Sequence, residues 1–418
     1  MQYIIGILFI AIFLVVCFCT SSWFSIARIH ATIWLILYWG YCLCSREIKL
    51  EGFGSLWLIA SCFFILLGEK LGEREEQQEF DRTYLLQSHI ADSRNKDKFW
   101  IIIIGSLTAV SIVGNIAEVY AYGFNLRDLL TFRRILSMSH EIATLRYQGI
   151  EVSALITLLQ TQKYIGCLVG GYYFFRNKKV SNKIICCLPF LPVILNVLIE
   201  NTKAGVIASA ILFCIGLIIG YAAINRRCPR MTVKWALKIV GAIVVLMLLL
   251  VFAMMIRLGA INSKTLGIVS EKFIIYAFGS VQAFDFWLSK VYRFDGVNLG
   301  VNTFMAPFNV LGIVSRKQGV YGFIDGATSN VFTGYRGVIE DFGIIGGLFF
   351  VMLLGYIGGI SIKRITKMPT EIASKTCYLF VFFFVVYSLI ISPYVYSSFC
   401  IMIIEFPILL YIEKNIVK

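Results

Sequence analysis

Between Arg257 and Asp341 lie six carboxylates, Glu271, Asp285, Asp295, Asp325, Glu340 and Asp341, in the one long stretch that is neither an apolar run nor a short connector. A carboxylate held beside a sugar hydroxyl can act as a general base. Asp285 sits within Phe284, Phe286 and Trp287. That surrounding suits a sugar-contacting wall, because aromatic faces stack on the apolar faces of sugars. It suits equally an amphipathic helix anchored at a membrane interface. Asp341 opens the next apolar run, where it is either a base or a first-turn carboxylate set against the helix dipole.

The cations make a second group. Lys203 lies in the turn Glu200 to Gly205, Arg257 ends an apolar run, Arg336 precedes another, and Arg127, Arg133, Arg134 and Arg146 fall in the segment 123–150. Arginine grips phosphate oxygens bidentately and lysine as a point charge. A lipid-linked diphosphate at a membrane interface would account for the set, as would contact with anionic lipid headgroups. The segment 123–150 alternates apolar and basic residues and is expected to lie along the interface as an amphipathic helix.

The elements that must position these residues are membrane helices. The chain has 418 residues, of which 59% are hydrophobic and 15% charged, and a mean hydropathy of +0.81. No water-soluble domain has that composition. With about 20 apolar residues needed per span, roughly eleven candidates are present: 2–20, 26–44, 53–68, 99–122, 152–175, 184–199, 205–224, 235–256, 338–360, 376–392 and 399–412. The expected fold is an all-α polytopic membrane protein. Its organisation is 1–256 with eight spans, a large extracytoplasmic loop over 257–339, and 340–418 with three spans and a cytoplasmic C-terminus.

Orientation comes from the basic connectors. Arg176, Lys178, Lys179 and Lys183 cluster in one, Arg226, Arg227, Arg230 and Lys234 in a second, and Lys363, Arg364, Lys367 and Lys375 in a third. Each lies an even number of spans from the next, so all face one side, which the positive-inside rule makes the cytoplasm. The net charge of +14 is therefore a topology signal and not a nucleic-acid surface. The segments 123–150 and 257–339 then face outward. The segment 69–98, mixed in charge, reads as a solvated, partly helical cytoplasmic connector. Arg28 and His30 are expected to snorkel towards the interface, and Lys163 to pair with a carboxylate such as Glu118.

Other chemistries lack their residues. The 12 cysteines leave 229–376 empty, so no disulfide framework staples the outer loop. The three histidines, His30, His89 and His140, are far apart, and no metal-ligand spacing, Asp-x-Asp pair or Walker sequence occurs. No metal or cofactor is expected.

Three stretches resemble the bacterial oligosaccharide repeat-unit polymerases, the Wzy-type O-antigen and capsule polymerases. Tyr276 to Asp285 is similar to a Tyr-x-x-Gly-x-x-x-Ala-x-Asp stretch. Asn302, Thr303, Phe304 and Pro307 resemble the Thr-Phe block that follows it. Ser329 to Arg336, then Asp341 to Gly343, resembles a Thr-Asn-Val-Tyr…Asp-Phe-Gly stretch entering the next span. Asn201 to Gly205 stands where the family has a Ser-Arg-x-Gly-like turn, with Lys203 in place of the arginine.

The resemblance implies a membrane glycosyltransferase of the GT-C-like architecture in the bacterial cytoplasmic (inner) membrane, acting at its outer face. It would transfer a growing glycan en bloc from undecaprenyl diphosphate to a lipid-linked repeat unit, without metal or nucleotide. The implied partners are undecaprenyl-diphosphate-linked glycans, membrane lipids and a chain-length regulator protein, and no nucleic acid. Arg257, Arg336 and Lys203 are expected at the diphosphate, followed by Arg133 and Arg146. Asp285 and Asp341 are expected as base or acceptor-orienting groups. Tyr276 falls in the matched stretch, and Asn330 and Tyr335 are candidate sugar contacts. Two other readings stay open. An O-antigen ligase would use the same donor but usually needs a histidine in this loop, where there is none. A polysaccharide flippase or other secondary transporter would show two related halves.

Overall fold

A computed structural model describes residues 2–45, 49–83, 94–148, 150, 152–177, 179–200, 203–230, 263–315, 321–322, 324–327 and 329–415, with scattered positions in 232–255. Among these residues every regular element is helical. Seven helices are long and apolar enough to cross a membrane: Gln2–Cys19, Ile26–Cys44, Phe53–Glu75, Asp97–Ala121, Val180–Glu200, Lys203–Asn225 and Gly334–Lys367. Ile372–Tyr387 is apolar but shorter. The expected span 152–175 is the helix Ala154–Phe174, which carries Gln160, Gln162 and Lys163. The expected eighth span, 235–256, lies largely outside the described residues.

The chain forms two compact units, 1–90 with 225–230 and 273–403, and 91–224 with 231–272 and 404–418. The stretch 257–339 is divided between them, with residues up to 272 in the second unit and 273–339 in the first. Its first part is helix, Ser263–Phe286, and its remainder packs with the N-terminal helices.

The first unit is built on the helices Phe53–Thr83 and Gly334–Lys367, whose backbones nearly touch. A Cβ on Gly68 or Gly72 would fall on the carbonyl oxygens of Met352 and Tyr356, and one on Gly355 on that of Ile65. These are small-xxx-small pairs in sequence, the pattern that lets membrane helices pack without a hydrophobic driving force between them. The helix Phe53–Thr83 also runs on past residue 69, so the first half of the expected connector 69–98 is helix.

Arg28 and His30 are buried and do not snorkel. Arg28 donates from Nε to Thr20 Oγ1 (2.9 Å) and from Nη2 to the Cys17 carbonyl (2.7 Å), tying down the turn before its helix. Ser61 spends its one proton on the Leu58 carbonyl (2.7 Å), so His30 Nε2, 2.9 Å away, must be the donor to Ser61 Oγ. Glu69, fully buried, accepts from Ser25 Oγ (2.7 Å) and the Ala27 N–H (2.9 Å), capping the start of Ile26–Cys44.

These contacts define two ends of the first unit. At one end are the turn 20–25, Glu69, Arg364 and Lys367, with Cys228 beside Ser22 bringing Arg226, Arg227 and Arg230. At the other are Glu51 and Gly52, residues 285–304, and the start of Gly334–Lys367.

The second unit packs Ala154–Phe174 against Lys203–Asn225 in the same close manner, with Gly171 and Gly216 against the carbonyls of Phe213 and Leu168. The expected amphipathic helix is present as Phe132–Tyr147: Arg133 and Arg134 are exposed, while Met138 and Ile142 are buried with Val119 and Ile199. A polar network runs through this unit. Arg146 pairs with Glu200, Asn196 also donates to Glu200, and Lys163 Nζ donates to Asn196 Oδ1 (2.8 Å). Glu118 accepts from Gln160 Nε2 (2.5 Å), so Lys163 is held by an amide and not directly by Glu118.

Candidate functional site

Gly343 organises the end of the first unit that holds Glu51, residues 285–304 and the start of Gly334–Lys367. Its φ of 75° and ψ of 175° interrupt Gly334–Lys367, a conformation that favours glycine. The break removes helical donors from the carbonyls just before it. Asn298 replaces them, its Nδ2 donating to the Glu340 carbonyl (2.9 Å) and its N–H to that of Asp341 (2.9 Å). The loop 292–304 is thus laid against the first turns of a broken helix.

Asp341 completes this attachment. Its Oδ1 accepts from the Asn302 N–H (2.9 Å) and Nδ2 (3.0 Å), and its Oδ2 from the Thr303 N–H (2.6 Å) and Oγ1 (2.6 Å). Asp285 does similar work further along. Its Oδ2 accepts from the N–H groups of Glu51 (2.6 Å) and Gly52 (2.9 Å), and its Oδ1 from that of Ser55 (2.7 Å). Both carboxylates are fully buried. Buried and saturated with donors, neither is placed to take a proton from a substrate. Their geometry is that of clamps, one at a loop and one at the start of Phe53–Thr83.

Arg336 stands one turn before Glu340, and its Nε donates to Glu340 Oε1 at 2.8 Å. Its guanidinium lies 4.0 Å from the ring centroid of Tyr321, 4.6 Å from that of Phe332 and 5.0 Å from that of Trp287. Three rings hold a planar cation by cation–π attraction, about 1 kcal/mol each when partly desolvated. Its Nη1 is buried with no hydrogen-bond partner among the described residues. A buried donor without an acceptor costs about 1–3 kcal/mol. Burial pushes the Tyr321 phenol well above its ordinary pKa; nearby Glu340 adds to the shift, and Arg336 opposes it. Tyr321 is therefore a neutral wall of the cage.

Beside this cage opens a cleft of about 360 Å³, lined by Trp287, Tyr292, Arg293, Asp295, Asn298, Asn302 and Glu340 among others. Aromatic faces, amides, a guanidinium and two carboxylates converge there. That lining suits a polyhydroxylated ligand with an anionic group. Among the described residues, no group of His, Cys, Asp and Glu could hold a metal ion.

No family model, curated protein or solved structure matches this chain. The site must therefore be read from its own chemistry.

Of the residues picked out in the sequence, Arg336, Asp341 and Asp285 lie at this end of the first unit. Tyr276 is half exposed on Ser263–Phe286, and Asn330 is exposed. Tyr335, expected as a sugar contact, is fully buried, with its hydroxyl 3.2 Å from His30 Nδ1 and its ring against Trp34 and Trp57. It is a packing residue. Lys203, Arg133 and Arg146 belong to the second unit, where Arg146 is committed to Glu200. Arg257 lies outside the described residues. Glu340 is one of the six carboxylates named from the sequence but was given no role there, and Tyr292, Arg293, Asn298 and Tyr321 were not singled out. Only the Arg336–Glu340 pair had a local signal, the i,i+4 spacing of opposite charges.

Proposed function

We propose that this protein is a membrane glycosyltransferase that joins undecaprenyl-diphosphate-linked oligosaccharide repeat units into O-antigen or a related surface polysaccharide. The observation that carries the reading is Arg336: a guanidinium caged by Tyr321, Phe332 and Trp287, with an unsatisfied Nη1, beside a polar and aromatic cleft. A sugar diphosphate needs both halves of such a site. The cation stabilises the charge that develops on the leaving diphosphate, and the cleft orients the sugar whose hydroxyl attacks.

The position of the cleft supports the same reading. It opens at the end of the first unit opposite the one that gathers Arg226, Arg227, Arg230, Arg364 and Lys367. If the basic end is cytoplasmic, the cleft would face the opposite side of the membrane, where a flipped lipid-linked glycan would arrive. Arg336 and Glu340 lie in the first turns of a helix long and apolar enough to cross a membrane, and a lipid-linked diphosphate would present its charge near such a helix end.

Deletion of the gene in its host tests this. A repeat-unit polymerase leaves single repeat units at the surface and no long chains. Unpolymerised units trapped inside would indicate a flippase, and polymer retained on the carrier lipid a ligase.

A further inference from the structure

Four carboxylates stand near the cleft, and they are not equivalent. Asp285 and Asp341 are fully buried and take three and four donors respectively. Asp295 lines the cleft but is exposed, with no ion pair among the described residues. Glu340 is intermediate. Its side chain is 23% exposed, it lines the cleft, and its Oε1 accepts one bond, from Arg336 Nε. Among the described residues no side chain or backbone group donates to Oε2. It is the carboxylate that is both held in place and open on one oxygen.

We propose that Glu340 is the base that receives the proton of the acceptor hydroxyl, and that Arg336 exchanges Glu340 for the departing diphosphate in the same step. This assignment rests on the transferase reading. The acceptor oxygen forms a bond to the anomeric carbon of the donor sugar. The bond from that carbon to the diphosphate oxygen breaks, and its electron pair leaves with the diphosphate. The acceptor proton passes to the Glu340 carboxylate and from there to water. Glu340 loses a negative charge as the diphosphate gains one. The charge of Arg336 is thus released from one anion as another forms, and no net charge is created in the site. This economy explains why the guanidinium is fixed by rings rather than by a second carboxylate: the rings hold it through the exchange without competing for its charge.

The charged and titratable groups facing Glu340 are Arg336 and Asp341 on its own helix, Tyr321, and Tyr292, Arg293 and Asp295 across the cleft.

The test is chain elongation by the purified full-length protein in proteoliposomes, with lipid-linked single repeat units extracted from the deletion strain as donor and acceptor, across pH 5–9. The wild type is expected to accelerate with pH through the carboxylate range and then level off. Glu340→Gln should lose on the order of 100-fold in rate and show no rising limb, while binding farnesyl diphosphate at least as tightly as the wild type. Glu340→Asp should recover part of the rate and restore the limb, and Asp295→Asn should retain a rising limb, displaced in pH by the loss of a neighbouring charge. A Glu340→Gln protein with the wild-type rate and limb overturns the assignment alone, as does loss of the limb in Asp295→Asn. A folded wild-type protein that elongates nothing overturns the transferase reading and the assignment with it.

Discussion

Arg336 and Glu340, one helical turn apart, are joined by an Nε–H···Oε1 hydrogen bond of 2.8 Å at the start of the broken helix Gly334–Lys367. The pair places a caged cation and an accessible carboxylate on a rigid element, with the break at Gly343 just beyond. A loop could carry the same two residues but could not fix their separation.

The cage makes arginine irreplaceable by lysine. Arg336→Lys keeps the charge but loses the planar face and the Nε–H directed at Glu340. Elongation should fall by at least about 10-fold, which corresponds to roughly 1.4 kcal/mol of lost transition-state stabilisation. Protein level and thermal stability should change little. Initial rates in proteoliposomes and a melting curve in detergent check both statements.

Asp285 is a clamp, so its loss should be felt as instability. Asp285→Ala strands the N–H groups of Glu51, Gly52 and Ser55 in a buried site. The expected cost is on the order of 3 kcal/mol. Asp285→Asn still offers one carbonyl oxygen and should cost less. A lower melting temperature in the order wild type, Asn, Ala is the expected result. Equal stability of all three, with activity lost, would return Asp285 to a chemical role.

Tyr335 packs inside the helices, where its hydroxyl meets His30 Nδ1 and the Ser388 side chain. Tyr335→Phe should cost about 1 kcal/mol in stability and leave polysaccharide chain length unchanged. Chain-length distribution on a gel, at matched protein level, reads this out.

The buried network of the second unit gives a larger effect. Glu200→Ala leaves Arg146 and Asn196 without their shared acceptor. Breaking one side of a buried charged pair costs about 3–5 kcal/mol; the partial exposure of Arg146 (38%) places this case at or below the low end. Reduced accumulation in the membrane is the expected phenotype.

Tyr321 predicts an alkaline limit. Its pKa is raised in the folded protein, chiefly by burial. The folded state therefore holds the proton more strongly than the unfolded chain, and this contribution is complete below the ordinary tyrosine pKa of about 10. It is lost as pH rises above that value. Melting temperature should drop above about pH 10, and Tyr321→Phe should drop less steeply.

Much of the helical framework was legible in the sequence because apolar length is a local signal. The runs 2–20, 26–44 and 205–224 reappear within a residue or two. The roles of the site residues were less legible because they depend on distant partners. Asp285 meets Glu51 and Gly52 across more than 230 residues, and Tyr335 meets His30 across 305. Nothing near Asp285 announces that three backbone donors await it. The small-xxx-small glycine pairs that let Phe53–Thr83 and Gly334–Lys367 touch do not announce which pair faces which. Arg336 stood out by its charge, and Glu340 could have been joined to it by spacing alone.

The central claim is that the cleft beside Arg336 transfers a lipid-linked glycan. The most direct measurement is elongation by the purified protein, given only lipid-linked repeat units in proteoliposomes. The account predicts a ladder of products on the carrier lipid from the wild type, and single units only from Arg336→Ala. A ladder of equal length and rate from Arg336→Ala, at equal incorporation, would contradict it.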